Sequence, residues 1–189
     1  SNCVNEGAIG TPADEDTQYT HAQNGVNLAS FIAGEVDGRQ LADGAADVTI
    51  CPIGGIIGVN LKNQVIEHCT NKGTITGTSG IGGIVGLNAG SVRSCNLTEN
   101  FGSTSISYLG GISGINLGTI TECTTKHGKT VSGKSNVGGI TGWNLNGGSV
   151  TGSSSYANIT GDSDQVGGLT GRNSGMLQLQ DESSNSPSR

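Results

Sequence analysis

The sequence predicts an all-β fold, a parallel β-solenoid (β-helix) of about five 28-residue coils preceded by a degenerate N-terminal coil. Three observations predict it. Glycine takes 34 of 189 positions, against an average usage of about 7 %. A short glycine-containing segment recurs five times at one period. Between its copies, β-branched residues alternate with small polar ones, with no apolar repeat at 3.6 residues, which is strand chemistry rather than helix chemistry.

The repeat is Ile53–Asn60 (IGGIIGVN), Ile81–Asn88 (IGGIVGLN), Leu109–Asn116 (LGGISGIN), Val137–Asn144 (VGGITGWN) and Val166–Asn173 (VGGLTGRN). The first glycine of each pair falls at 54, 82, 110, 138 and 167, so the steps are 28, 28, 28 and 29. A fixed period of this size is the mark of stacked structural repeats. After each asparagine comes a glycine-bearing turn, as in Asn88-Ala89-Gly90 and Asn116-Leu117-Gly118. Two further short segments follow, exemplified by Val92-Arg93-Ser94-Cys95 and Thr130-Val131-Ser132. Two or three strands per coil, each paired with its copy about 4.8 Å along the axis, would span about 30 Å.

The columns assign side chains to faces. Ile56, Ile84, Ile112, Ile140 and Leu169 form one apolar column, and Ile53, Ile81, Leu109, Val137 and Val166 another. They stand three residues apart, so simple alternation breaks between them, and a bend or bulge is expected at the Gly-Gly pair, where a Cβ would clash or φ must be positive. Asn60, Asn88, Asn116, Asn144 and Asn173 form a structural column in which stacked amides can both donate and accept along the axis. If Ile56, Gly58 and Asn60 point inward, then positions 57 and 59 point outward. Val59, Leu87, Ile115 and Trp143 would then form an apolar outer stripe, a candidate interaction surface. Its occupant would be a partner, a second copy or the inserted segment 11–25 folded back; the alternative is that alternation inverts past the Gly-Gly bulge and makes the stripe core.

Domain organisation follows the repeat. Residues 1–50 read as a degenerate coil and cap with an acidic insertion, 51–176 as the repeat solenoid and 177–189 as a polar tail. Cys3-Val4-Asn5 echoes Cys69-Thr70-Asn71, and Ser30-Phe31-Ile32-Ala33-Gly34 echoes the Gly-Gly-Ile segment. Charge is lopsided: residues 1–50 hold eight acids against Arg39, while the whole chain carries a net −6. That balance argues against nucleic acid as a partner. No apolar run approaches the ~20 residues that a membrane span needs, so membrane insertion of this segment is not expected. The chain lacks an initiator methionine and a leader, as expected of a mature segment or fragment.

The motifs Gly55-Ile56-Ile57-Gly58, Gly83-Ile84-Val85-Gly86, Gly111-Ile112-Ser113-Gly114, Gly139-Ile140-Thr141-Gly142 and Gly168-Leu169-Thr170-Gly171 resemble the GLUG motif. It recurs in large secreted bacterial surface proteins, including adhesin-like proteins and some immunoglobulin A-cleaving metallopeptidases. The resemblance covers about residues 51–176. It implies an extracellular or cell-surface module with a host or bacterial surface ligand, protein or glycan, and neighbouring domains of a longer chain. In the peptidases the repeats accompany a separate domain bearing His-Glu-x-x-His. Here Glu67-His68 lacks that pattern, and His21 and His127 are isolated.

Other motifs point to weaker chemistry. Gly128–Ser135 (GKTVSGKS) matches the phosphate-binding P-loop letter for letter, but a P-loop needs a helix after it, and here the next repeat follows. Asp14-Glu15-Asp16 is an acidic run that could ligate calcium, or simply a solvated loop. Asn96-Leu97-Thr98 and Asn158-Ile159-Thr160 are formal glycosylation sequons. Cys69, Cys95 and Cys123 share a column without a Cys-x-x-Cys, which predicts stacked buried thiols rather than zinc or disulfides. The function expected is a non-catalytic structural or adhesive module, without cofactor or metal. The alternative is a polysaccharide-processing enzyme on the same scaffold, which would need clustered carboxylates. Glu67, Glu99, Glu122, Asp162 and Asp164 form no common column.

Overall fold

The computed structural model describes residues 3–6, 26–35 and 48–178. Its strands stack in parallel as a β-solenoid of about four turns. Five ladders run along it. The first comprises Ile53–Gly54, Ser79–Gly82, Ser107–Gly110, Ser135–Gly138 and Val166–Gly167. The second comprises Ile57–Asn60, Val85–Asn88, Ser113–Asn116, Thr141–Asn144 and Thr170–Asn173. Val65–Glu67, Ser91–Arg93, Thr119–Thr121, Ser149–Thr151 and Met176–Gln178 make the third. The fourth is Val4–Asn5, Thr70–Asn71, Asn96–Leu97, Thr124–Thr125 and Ser154–Ser155. A shorter fifth holds Phe101–Gly102, Thr130–Gly133 and Asn158–Gly161.

Register follows the 28-residue period. Leu109 lies opposite Ile81 and Val137, and Asn116 opposite Asn88 and Asn144. The N-terminal echo is a real rung: Val4 and Asn5 pair in parallel with Thr70 and Asn71.

The first and second ladders lie back to back at backbone contact. A Cβ on Gly110 would overlap the Ser113 carbonyl oxygen, and one on Gly114 would overlap the Gly80 carbonyl carbon. Steric exclusion, rather than a left-handed backbone, therefore explains the expected bend. The left-handed residues fall elsewhere, eight of them in two columns: Gly80, Tyr108 and Asn136 inside the first-ladder strands with Gln165 just before the last of these, and His68, Ser94, Glu122 and Gly152 after the third ladder. A left-handed backbone is costly for a residue with a Cβ, so these columns are held by the ladders on either side.

Three apolar clusters result. Ile84, Ile112 and Ile140 pack on Val92, Ile120, Val150 and the thiols of Cys69, Cys95 and Cys123. Ile81, Leu109 and Val137 pack on Leu97, Phe101, Ile106 and Val131. The third cluster lies on the other side of the second ladder and is closed by an element without repeat character, helix α1 (Leu28–Glu35). This corrects the reading of Ser30–Gly34 as a degenerate Gly-Gly-Ile strand. Leu28, Phe31 and Ile32 stand at helical spacing i, i+3, i+4, and the Asn27 side-chain oxygen accepts the Ser30 backbone N–H at 3.0 Å as an N-cap. An antiparallel pair, Val26–Asn27 with Thr49–Ile50, anchors the helix to the start of the first coil. The tail boundary also shifts, since Leu177 and Gln178 belong to the third ladder. The acidic run 14–16 and the insertion 11–25 lie outside the described residues.

Candidate functional site

The asparagine column is a continuous side-chain ladder. Asn60 Nδ2 donates to Asn88 Oδ1 at 2.8 Å, Asn88 to Asn116 at 2.7 Å, Asn116 to Asn144 at 2.8 Å and Asn144 to Asn173 at 2.8 Å. The same amides reach backbone carbonyls at the turn: Asn116 Nδ2 also donates to Gly118 O at 3.1 Å and Ser149 O at 3.3 Å. Each asparagine thus satisfies its own turn and clamps the next coil. The first four are buried and Asn173 is exposed. A shorter version occurs at Asn5, whose Nδ2 donates to Asn71 Oδ1 at 2.9 Å.

Of the two expectations for the adjacent stripe, an outward face or core, the interior one describes most of it. Leu87, Ile115 and Trp143 are each 0 % exposed, and Val59 is half-buried at the column's end. Leu28, Ile32 and Ile50 cover them, with Leu117 and Leu145 beside them. The stripe does pack on something, as its apolar character requires, but its cover includes helix α1 of this same chain. As a free surface for a partner it is closed. Position 57 is corrected too: Val85, Ser113 and Thr141 in that column are fully buried. Both faces of the second ladder are therefore interior, the usual state of a parallel sheet. Alternation alone could not reveal that.

Trp143 is the centre of this cluster. The Tyr108 ring stacks on it at 5.7 Å between centroids, and the Arg172 guanidinium lies 4.3 Å from its ring centroid, a cation–π geometry. Its indole Nε1 is buried and has no hydrogen-bond partner among the described residues.

The thiol column forms a second axial chain. The backbone N–H of Cys69 points to Cys95 Sγ at 3.4 Å, that of Cys95 to Cys123 Sγ at 3.5 Å, and that of Cys123 to Ser153 Oγ at 3.1 Å. None of the five cysteines is disulfide-bonded. Burial pushes the Cys69 thiol up to about 11. The Cys95 thiol and burial together hold Cys123 well above the ordinary thiol range. Neutral thiols such as these two are poor nucleophiles, whereas the Cys123 thiol draws Cys95 between them down to about 7.

Carboxylates are distributed along the rod and engaged one coil away. Glu67 pairs with Arg93 at 2.9 Å and Glu99 with Lys129 at 2.8 Å, while Ser94 Oγ donates to Glu122 at 3.3 Å. Lys129 lowers the Glu99 pKa through that contact. Among the described residues no group of three or more His, Cys, Asp or Glu is placed to hold a metal ion. The P-loop-like segment runs into strands Thr130–Gly133 and Ser135–Gly138, with no helix after it. No helix of the described residues is long and apolar enough to cross a membrane. Sequence reasoning missed α1 and Tyr108 as parts of the Trp143 cluster; the Asn27 cap and the Leu28/Phe31/Ile32 spacing were the available signals. No protein family, curated protein or solved structure matches this chain.

Proposed function

We propose that this chain is a non-catalytic structural and adhesive repeat module of a bacterial surface protein, with the GLUG-like repeats serving as an extracellular stalk or lateral binding face. The observation that carries this reading is the asparagine ladder. Polar groups that could have faced a substrate are spent along the axis, joining one coil to the next. The ion pairs of Glu67 and Glu99 likewise link successive coils. Such a rod suits the spacing of neighbouring domains and presentation of its flanks to a protein or glycan on a host or bacterial surface.

The test is display of residues 1–189 on a non-adherent bacterium, followed by adhesion and turnover assays on one panel of matrix proteins and glycans. Adhesion without product release is expected. Glycan cleavage that disappears on substitution of one carboxylate among Glu67, Glu99, Glu122, Asp162 and Asp164 would replace this reading with an enzymatic one.

A further inference from the structure

Cys69, Cys95 and Cys123 stand one above another in the interior of the rod, each in the turn between the third and fourth ladders. The backbone there keeps ladder register. Cys69 O accepts the Asn96 N–H and Cys95 O the Thr124 N–H, both at 2.9 Å, so successive cysteines are one ladder step apart, about 4.8 Å. Their side chains take the same orientation. The Cys69 thiol donates to Glu67 O at 3.3 Å, Cys95 to Arg93 O at 3.2 Å and Cys123 to Thr121 O at 3.4 Å, in each case the carbonyl two residues before. One orientation repeated at one step sets successive sulfurs that same step apart, and neighbouring thiols lie within hydrogen-bond reach.

We propose that this column binds a soft monovalent cation, copper(I) or silver(I), as a linear dithiolate joining Cys95 to Cys69 or Cys123 one coil away. The match is one of length and direction. A bond from thiolate to a d10 ion is about 2.3 Å, the zinc value, so a linear sulfur–metal–sulfur unit spans about 4.6 Å, close to the ladder step of about 4.8 Å. The sulfur neighbours of Cys95 lie above and below it along the axis. That suits two opposite ligands and denies a tetrahedral ion its others; among the described residues no group of three or more ligands is gathered. Thiolate is the ligand that selects copper(I). In the binding step one cation replaces the protons of two thiols, forming two metal–sulfur bonds and releasing two protons to solvent.

Three features favour a bound cation over inert packing. First, backbone donors already point at the sulfurs: Cys69 N–H at Cys95 Sγ, 3.4 Å, and Cys95 N–H at Cys123 Sγ, 3.5 Å. Hydrogen bonds to the charged form favour it, so these offset the negative charge that a dithiolate bridge leaves in the core. Metallation gives up only the weak contacts from thiol to carbonyl. Second, the ion would join consecutive coils axially, as the asparagine ladder does between the second and third ladders. Third, the column lies one residue behind the surface. His68, Ser94 and Glu122 precede the three cysteines in left-handed backbone, and His68 and Glu122 are exposed. Local opening of that turn gives the ion its way in.

The experiment is an anaerobic titration with copper(I) against the chelator bicinchoninate, on the full chain carrying Cys3→Ser and Cys51→Ser, which leaves only the three column thiols. At least one equivalent should bind, with two sulfur ligands and no nitrogen by X-ray absorption, and raise the Tm by about 5 °C or more. The substitution pattern reads the geometry. Cys123→Ser keeps the gap between Cys69 and Cys95, and Cys69→Ser the gap between Cys95 and Cys123, so each should still bind one equivalent. Cys95→Ser leaves two sulfurs about 9.6 Å apart, too far to share an ion, and should weaken binding by about 100-fold or more. Serine fits this position, since Ser153 holds it in the next coil, where its Oγ accepts the Cys123 N–H at 3.1 Å; far-ultraviolet dichroism checks that the variants fold. Copper(I) that the unsubstituted column fails to hold against the chelator overturns the proposal. So does binding that Cys95→Ser leaves unchanged, binding that all three variants lose equally, or a shell of three ligands or with nitrogen.

Discussion

Positions 59 and 60 of the repeat are neighbours in every coil, yet their columns behave oppositely. Position 60 is asparagine five times, whereas position 59 reads Val59, Leu87, Ile115, Trp143 and Arg172. Both columns are buried through the middle of the rod. The difference lies in what each one touches. An asparagine touches its own copy one coil away, and a repeated hydrogen bond demands a repeated residue. The position-59 side chains cluster with Leu28 and Ile32 of α1 and with Val26 and Ile50 of the antiparallel pair, which occur once. A column packed against something aperiodic must vary in size to fill the gap, and the largest residue, Trp143, sits where Tyr108 stacks on it. Identity along a column therefore reports axial bonding, and variation reports lateral packing against a non-repeating element.

The sharpest way to break this comparison is Trp143→Ala. Emptying a fully buried aromatic site should cost about 3–5 kcal/mol in thermal or denaturant unfolding. Trp143→Phe should cost less, because it also removes the unpartnered buried indole N–H. Equal losses for the two variants would mean that packing volume is not what this column supplies.

In the other column, Asn116→Ala removes a donor and an acceptor, takes the donor from Asn144 Oδ1 and leaves Asn88 Nδ2 only its backbone acceptors. The expected loss is ~1–3 kcal/mol. Asn173→Ala, at the exposed end, should stay within about 0.5 kcal/mol. If both cost the same, the ladder is not a chain of buried bonds.

The cover is tested by Asn27→Ala, which removes the α1 cap and should cost about 1 kcal/mol. It should also raise acrylamide quenching of Trp143 while leaving the strand signal in far-ultraviolet dichroism intact. Loss of strand signal together with the helix would show that α1 nucleates the solenoid instead of covering it.

The smallest expected effect concerns pH. The Cys69 thiol is raised from 9.0 to about 11 in the folded chain, so the folded state holds its proton more tightly than the unfolded one. The stabilisation is complete below pH 9 and is lost as pH rises toward 11. Cys69→Ser should remove that part of the alkaline slope. A slope unchanged by the substitution would assign it to other groups.

The 28-residue period, the parallel register, the asparagine ladder and the thiol column were legible because each is a residue repeated at one spacing. The facing of position 59 was not. Alternation distinguishes inside from outside only when one face meets water, and here both faces of the second ladder are covered. Helix α1 spans eight residues, and its apolar spacing covers little more than one turn. The left-handed columns were hidden as well. Gly80 and Gly152 hint at them, but Tyr108, Glu122 and Gln165 take the same backbone conformation, held there by ladder bonds on both sides rather than by local preference.

The central claim is that Leu87, Ile115 and Trp143 are buried under a cover that includes the chain's own helix. The chain has a single tryptophan, so its emission in a dilute monomer reads that claim directly. Blue-shifted emission with weak acrylamide quenching, moving to the red when Ile32→Asp is introduced into α1, is the predicted result. Emission at the wavelength of tryptophan in water, unchanged by Ile32→Asp, would contradict it.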